Sequence, residues 1–405
     1  MNVLMLAPGY PAEMPYFTRG LQRVGASVIG LADQAESALP AVALSSLSAY
    51  IQVDSYSNED AIVDQVKQSA RHMRIDRVES QWEPLMLLAA RIREALGLPG
   101  MTVAETVPFR DKERMKQVLD QAGIRTPHHY SATTAAGVID AAEKIGYPII
   151  VKPIAGAGSA DTHRVGSREE LDRVLPHLRH VTEVSVEEFI EADEFTYDTV
   201  CGRGRILYQN VCMYRPRPLI ARQQEWISPQ TVALRDLSDP GLQEGIRMGH
   251  EVIRAMNYRD GFTHMEWHRK ADGEVVFGEI GARPPGARTV DLMNFVSDID
   301  LFTGWAEAVC HGTLSQDLSR KYNCASIFKR AVGQGRIQRI EGMGRLMAEF
   351  GPHIVNVDLL PVGAPRRNWL QTLISDGMVV VRHPDLETTL HIADRVGTDL
   401  QMFAG

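Results

Sequence analysis

Several things are scarce or missing in this 405-residue chain, and each absence narrows what it can do. There are only four cysteines, Cys201, Cys212, Cys310 and Cys324, with no CxxC spacing and no histidine at zinc-finger distance. A disulfide framework and structural zinc are thereby set aside, and the reduced thiols of a cytoplasmic chain are expected. Positive charge is in deficit, with 43 Lys+Arg against 51 Asp+Glu and a formal charge of −8. That balance argues against nucleic acid or an anionic membrane as a general partner, though not against a local basic pocket. No apolar run approaches the roughly 18 residues that a membrane span requires. The opening MNVLMLAPGYP lacks a basic leader and is cut by Pro8-Gly9, so it reads as a first buried strand. Neither a GxGxxG nor a Walker A motif is present, which disfavours a dinucleotide site and a P-loop.

What is present is ordinary globular composition, 44% apolar and 23% charged, at a length that predicts two to four domains. In the first hundred residues, strand-like runs at 2–7, 26–32, 51–53 and 77–79 alternate with helical spacing at 14–24, 60–71 and 84–96. Strands spaced by helices predict a small open parallel α/β domain. From residue 321 on, strand patterns at 325–334, 354–360 and 378–382 with helices at 342–350 and 386–398 predict an α+β unit.

The chemistry concentrates in FTHMEWHRKADGEVVFGEI, residues 262–280, where two alternating runs flank Asp272-Gly273. Asp-Gly is a strong two-residue hairpin signal. With that turn, Ala271 pairs with Glu274, and the same register sets Glu266 opposite Glu279. Facing side chains on antiparallel strands lie about 5 Å apart, and like charges there repel. A hard divalent cation with oxygen ligands would offset the repulsion. Two splayed, solvated carboxylates are the alternative. The cationic, tightly turning segment after Glu279, with Gly281, Arg283, Pro284, Pro285, Gly286 and Arg288, favours a site holding Mg²⁺ and phosphate together. His264 and His268 fall on the same strand face as Glu266, to orient a substrate or serve as structural histidines.

Other segments fit that reading. Asp111 is a candidate N-cap for a helix over residues 109–123, which places Lys112 in the first turn, where the helix dipole disfavours a cation unless an anion is near. A strand at 148–151 delivers Lys152, and Pro153 then leads into AGAGSA. The small residues Gly156, Ala157, Gly158 and Ser159 suit a phosphate-cradling turn, or else a flexible hairpin. VSVEEFIEADE, at 184–194, is either a solvated acidic edge or an adenine-binding hinge.

Taken in order, Lys112, Lys152 before AGAGSA, EEFIEADE, HMEW and GEIGARPPGA resemble the ATP-grasp superfamily, and within it the carboxylate–amine ligases that include L-amino-acid ligases. The resemblance covers roughly residues 1–320. It implies an ATP-grasp fold with an N-terminal open parallel α/β (preATP-grasp) domain and a C-terminal α+β domain. It further implies a division into 1–105, a nucleotide lid at 106–185, a metal-bearing subdomain at 186–320, and 321–405. By the same resemblance, Lys112, Lys152 and the loop Gly156, Ala157, Gly158, Ser159 would contact ATP phosphates. Glu187, Glu188, Phe189 and Ile190 would hold adenine, and Glu194 the ribose. Glu266 and Glu279 would hold Mg²⁺ (or Mn²⁺), and Arg283 would stabilise the γ-phosphate and the acyl phosphate made from it. Many members carry an Asn where this chain has Gly281, which puts the second metal site in question.

Arg288, His264 and Arg215 are the candidates for contact with a small carboxylate or amine substrate, Arg215 otherwise being a loop residue. The implied activity is amide or peptide bond formation with release of ADP and phosphate. A phosphotransferase on the same site and a non-catalytic ATP-binding protein are the rival classes. A cytoplasmic homodimer without nucleic-acid or membrane partners is expected.

Overall fold

The computed structural model describes residues 1–154, 162–372 and 374–405. Four short apolar runs, β1 (Asn2–Leu6), β2 (Ser27–Ala32), β3 (Leu47–Gln52) and β4 (Arg77–Glu79), pair in parallel in the order β3-β2-β1-β4. β1 and β2 are buried almost throughout, as strands covered by helices on both faces must be. Helix Met14–Arg23 fastens this sheet to the rest of the molecule. Gly20 passes so close to helix Leu301–His311 that a Cβ there would sit 2.3 Å from the Phe302 carbonyl oxygen. Phe17 meets Phe262, Phe302 and Trp305 edge-on, which adds roughly 1 kcal/mol per pair beyond the buried area.

A second sheet follows, built from β5 (His129–Ala132), β6 (Ile149–Pro153), β7 (His163–Val165) and β8 (Val184–Glu188). It is antiparallel, in the order β5-β8-β6-β7. Its small core contains Ala142, Val151, Leu171 and Val186.

The central sheet has eight antiparallel strands. β9 (Asp193–Gly202), β10 (Arg205–Arg215), β11 (Gln230–Ala233), β12 (Gly261–Arg269), β13 (Val275–Gly281) and β14 (Asn323–Phe328) belong to it. β15 (Ile337–Glu341) does not, but β16 (Ile354–Leu359) and β17 (Gly377–His383) do, giving the order β13-β12-β9-β10-β11-β14-β17-β16. β18 (Gln401–Ala404) pairs with β15 at the periphery. Residues 321–405 therefore extend the central sheet, and Ala325, Ile327, Val379 and Val381 share one apolar cluster with Trp267 and Phe277.

Strand alternation sorts the two faces of β9 and β12. Phe195, Tyr197, Met265 and Trp267 are buried against helix Pro240–Ala255. Gly245 and Gly249 make that approach possible, since a Cβ on them would lie 2.4 Å from Trp267 and 2.2 Å from Tyr197. The residues between them, Glu194, Asp198, His264, Glu266 and His268, project from the other face. The fold thus spends its aromatic bulk on one side of the sheet and leaves carboxylates and imidazoles on the opposite one. No helix among the described residues is long and apolar enough to cross a membrane.

Candidate active site

Glu266 stands opposite Glu279, the expected pairing, but not for the expected reason. The loop holds three residues rather than two. Lys270 N–H donates to the Glu274 carbonyl at 2.9 Å, Gly273 N–H donates to the Lys270 carbonyl at 2.9 Å, and Gly273 takes a φ of +91°. That closure shifts the pairing by one, so that Trp267 faces Phe277 and Arg269 faces Val275. Carried through unbroken, it would turn Glu279 onto the buried face beside Met265. A bulge at Gly278 restores the other register between Trp267 and Glu266. Only glycine fits there, because a Cβ would lie 2.8 Å from the Glu266 carbonyl oxygen.

Asp111 caps helix Lys112–Gln121 by accepting from Glu113 and Arg114 N–H, both at 3.0 Å. The cap aims the first turns of the helix at the carboxylates. Lys112 Nζ pairs with Glu279 Oε2. One turn later the buried Lys116 pairs with Glu187 Oε1, while Lys152, from the end of β6, reaches Glu187 Oε2 at 2.8 Å. Lys152 lies across from Ser185, so its long side chain reaches Glu187 diagonally on β8. Burial alone would raise the Glu187 carboxyl pKa; the two ammonium groups outweigh it and hold the group far below the usual range. Glu187 was expected to receive an adenine amino group, yet its carboxylate is committed to two cations. Lys116 escaped the sequence reading, although i,i+4 spacing from Lys112 was the available signal.

His264 and His268 do share a face with Glu266. His264 Nδ1 lies 2.6 Å from Asp198 Oδ1, and its Nε2 lies 3.7 Å from Glu266 Oε1. Burial by itself would lower the imidazole pKa, but the Asp198 and Glu266 carboxylates lift it to about 9. The Glu266 carboxyl, although buried, is lowered to about 2, chiefly by His264 and then by Lys112. Burial pushes His268 down to about 4. Glu194, paired across the strands with His268, has its carboxyl pKa raised by burial and by the Glu266 charge. Tyr214 donates to Glu266 Oε1 at 3.3 Å.

The remaining candidates are distributed around this cluster. Arg125 clamps Glu188 at 2.9 and 3.0 Å and also holds Glu274 at 2.9 Å, tying β8 to the hairpin turn. Phe189 N–H donates to the Pro148 carbonyl, and its ring lies beneath the Arg164 and Arg217 guanidinium groups. Arg217 donates to the carbonyls of Ile190 and Ala192 at 3.4 and 2.9 Å. Arg283 Nε donates to Glu83 Oε2 at 2.7 Å, and Glu83 lies within the field of Lys112. Gly281 leaves room for this, since a Cβ there would press on Arg283 Cγ at 3.3 Å. Gly156, Ala157, Gly158 and Ser159 fall outside the described residues.

Arg215 needs correcting. It is not a loop residue but the last residue of β10. It is engaged with Asp394 at 3.1 and 3.2 Å and with Gln230 at 2.8 Å. Strand alternation gives the carboxylate face to Tyr214 and sends Arg215 away from it.

Arg288 adopts a left-handed conformation with φ 61° and pairs with Asp291. Its backbone N–H also reaches Glu13, a residue that sequence reasoning passed over and whose Oε1 is buried without a donor. Burial, then the Asp291 charge, raises the Glu13 carboxyl to about 7. The native state therefore binds the extra proton between the ordinary carboxyl range and pH 7, and stability falls as pH rises through that window. Glu13→Gln is expected to melt above the wild type at pH 8 and level with it at pH 4.5; equal melting at both would contradict a buried, strained carboxylate.

A family model for the ATP-grasp N-terminal domain matches residues 20–100, and one for the ATP-grasp domain matches residues 117–294. The chain belongs to the ATP-grasp superfamily. The L-arginine-specific L-amino acid ligase of Bacillus subtilis is 28% identical over 218 residues, 52% of this chain and 52% of that protein. A D-alanine–D-alanine ligase of Clostridium perfringens is 31% identical over 116 residues, 28% of this chain and 38% of that protein. The chain thus matches about half of the first relative's length and less of the second's. An L-amino acid ligase structure from Bacillus licheniformis superposes with a TM-score of 0.80 at 19% identity, covering 100% of this chain and 98% of that one, which shows a common fold.

In this ATP-grasp chain no group of three or more metal-type side chains converges among the described residues. The facing pair Glu266 and Glu279 nevertheless suits Mg²⁺ or Mn²⁺. Mg²⁺ commonly takes only one or two carboxylates and completes its shell with water and phosphate oxygens. The Lys112 ammonium on Glu279 shows that a positive charge is accommodated there.

Proposed function

We propose that this protein is an ATP-dependent carboxylate–amine ligase that forms an amide or peptide bond through an acyl phosphate and releases ADP and phosphate. The observation that carries the reading is the meeting of Glu266 and Glu279, on one face of the central sheet, with Lys112 and Lys116 from helix Lys112–Gln121 and Lys152 from β6 of the second sheet. Every one of those lysines is paired with a carboxylate, so nucleotide binding is an exchange of partners. Phosphate oxygens take over Lys112 and Lys152, and Glu279 is released toward a cation. Bound Mg²⁺ would supply charge neutralisation for the phosphate oxygens and a template for their alignment.

The chain's own groups do the rest. The 187–190 hinge places the base, with Glu194 on the ribose. Because the Glu187 carboxylate is held by cations, the backbone of Glu188, Phe189 and Ile190 carries more of the base recognition. Arg283, turning from Glu83, stabilises charge on the transferred phosphoryl group, and Arg288 with His264 orients the small substrates. Fixed positive charge and exclusion of water are what phosphoryl transfer asks of a protein. The working division is 1–105, 106–185, 186–320 and 321–405, in a cytoplasmic protein acting on amino acids or similar acids and amines, with a homodimer as the proposed assembly.

The test is a matrix of amino-acid pairs with ATP and Mg²⁺, following phosphate release and product mass together. Release coupled to a new amide is expected. A phosphorylated acid without amide, or nucleotide binding without turnover on any pair, overturns the reading. Lys152→Ala is expected to weaken ATP affinity at least about tenfold, one charge-assisted contact being worth about 1.5–3 kcal/mol. It should melt only slightly lower, because Lys116 still compensates Glu187. Unchanged nucleotide affinity would remove Lys152 from the phosphate site.

A further inference from the structure

Three strands of the central sheet bring a buried pair of residues up to the facing carboxylates. The register of β9 on β12 sets Asp198 directly across from His264, and that of β13 sets Gly281 on the other flank. The imidazole therefore has a carboxylate beside it on one strand and no side chain opposite it on the other. Asp198 is fully buried. Its Oδ1 lies 2.6 Å from His264 Nδ1, while Oδ2 accepts from Thr196 Oγ1 at 2.8 Å and from Asn210 Nδ2 at 3.3 Å. Asn210 is held in turn by Arg320, which donates to its Oδ1 at 2.8 Å. A carboxylate withdrawn from water is costly unless both oxygens find partners, and here both do.

This network fixes the direction of the ring. With Nδ1 engaged by Asp198, Nε2 is turned toward the metal-type pair and lies 3.7 Å from Glu266 Oε1. That separation is too long for a hydrogen bond, but one cation spans it. Metal–ligand bonds of about 2.1 Å allow two atoms on the same ion to stand up to about 4 Å apart. A carboxylate on the far nitrogen is also what a metal-ligating histidine normally carries, since it sets the tautomer and the orientation of the ring. His268, on the same face, lacks such support, and its Nδ1 is buried without a hydrogen-bond partner.

We propose that His264 is a third protein ligand of the cation held with the nucleotide, with Asp198 as the positioning residue behind it. This rests on the reading of Glu266 and Glu279 as the metal pair. Among the described residues the three groups do not converge while Lys112 occupies Glu279, and the phosphate oxygens that draw Lys112 away complete the set. On ligation Nε2 gives up the proton that the flanking carboxylates otherwise keep there. An imidazole nitrogen moves the preference of the set from Mg²⁺ toward first-row transition metals. His264 then reaches the small substrates through the cation.

Electron spin-echo envelope modulation of Mn²⁺ bound with ADP tests the assignment. The wild type is expected to show nitrogen coupling, and protein carrying ¹⁵N-labelled histidine to show it shifted, which separates imidazole from the adenine ring. His264→Gln should lose the coupling and His268→Gln should keep it. If the glutamine variant folds poorly, the isotope shift in the wild type still decides whether a histidine is bound. Asp198→Asn should hold Mn²⁺ at least about tenfold more weakly, with ADP affinity in the absence of metal unchanged, a pattern that a merely structural ion pair does not produce. Mn²⁺ left free by the wild type would overturn the metal pair and this ligand with it. Mn²⁺ held without histidine coupling, coupling lost in His268→Gln but kept in His264→Gln, or equal retention by Asp198→Asn would overturn the third ligand alone.

Discussion

Glu279→Gln is expected to lower turnover by on the order of a thousandfold or more while the protein melts within a few degrees of the wild type. The first half follows from charge. Metal-assisted stabilisation of phosphoryl oxygens is worth several kcal/mol, and each 1.36 kcal/mol is a factor of ten. An amide oxygen at position 279 keeps the size of the ligand but loses the charge that holds a divalent cation. The second half follows from exposure. Glu279 and its partner Lys112 are both partly open to solvent, so water can take over the ammonium when the carboxylate goes. Glu187 is the opposite case. It lies buried between Lys116 and Lys152, and its loss would strand two cations. Turnover and phosphate release measured beside a thermal melt separate the two outcomes; wild-type turnover would remove Glu279 from the reaction.

Gly278→Val is expected to cost at least about a hundredfold in activity, although position 278 carries no functional group. A side chain there meets the Glu266 carbonyl at 2.8 Å. The strand can relieve the clash by straightening, and a β-branched residue favours the straight form. Straightening removes the bulge, advances the register by one, and turns Glu279 toward the apolar face where Met265 lies. The stability cost is that of overpacking, about 1–3 kcal/mol. Gly273→Ala is the control. It sits in the same hairpin at φ +91° with open space around it, so it should lose about 1 kcal/mol of stability and keep its activity. Loss of activity in both variants, or in neither, would contradict the bulge as the device that pairs the two carboxylates.

That hairpin also shows how far the sequence could be read. Glu266 faces Glu279, as the sequence predicts, because two departures cancel: a loop one residue longer than Asp272-Gly273 suggests, and a one-residue bulge at Gly278 further along the ladder. Alternation counts residues and cannot see either. Local signals were the legible ones, among them Asp111 as a cap, Lys152 at a strand end and the parallel N-terminal strands. The acids of EEFIEADE obscure the long strands β9 and β10 behind them, which is why Arg215 reads as a loop residue in the sequence alone. Lys116 and Glu13 were illegible for a different reason. Each owes its importance to a partner distant in sequence, Glu187 for the one and Arg288 with Asp291 for the other. A helix read for its apolar face treats a lysine on it as solvated, and only the packed sheets show that this one is buried.

The most direct measurement is a titration of Mn²⁺ in the presence of ADP, followed by the loss of the free-ion electron paramagnetic resonance signal. It should be run on the wild type and on Glu266→Gln/Glu279→Gln. The wild type should retain Mn²⁺ at micromolar free concentration, and the double variant should leave it free. Equal retention by both proteins would mean that the paired carboxylates of β12 and β13 do not hold the cation.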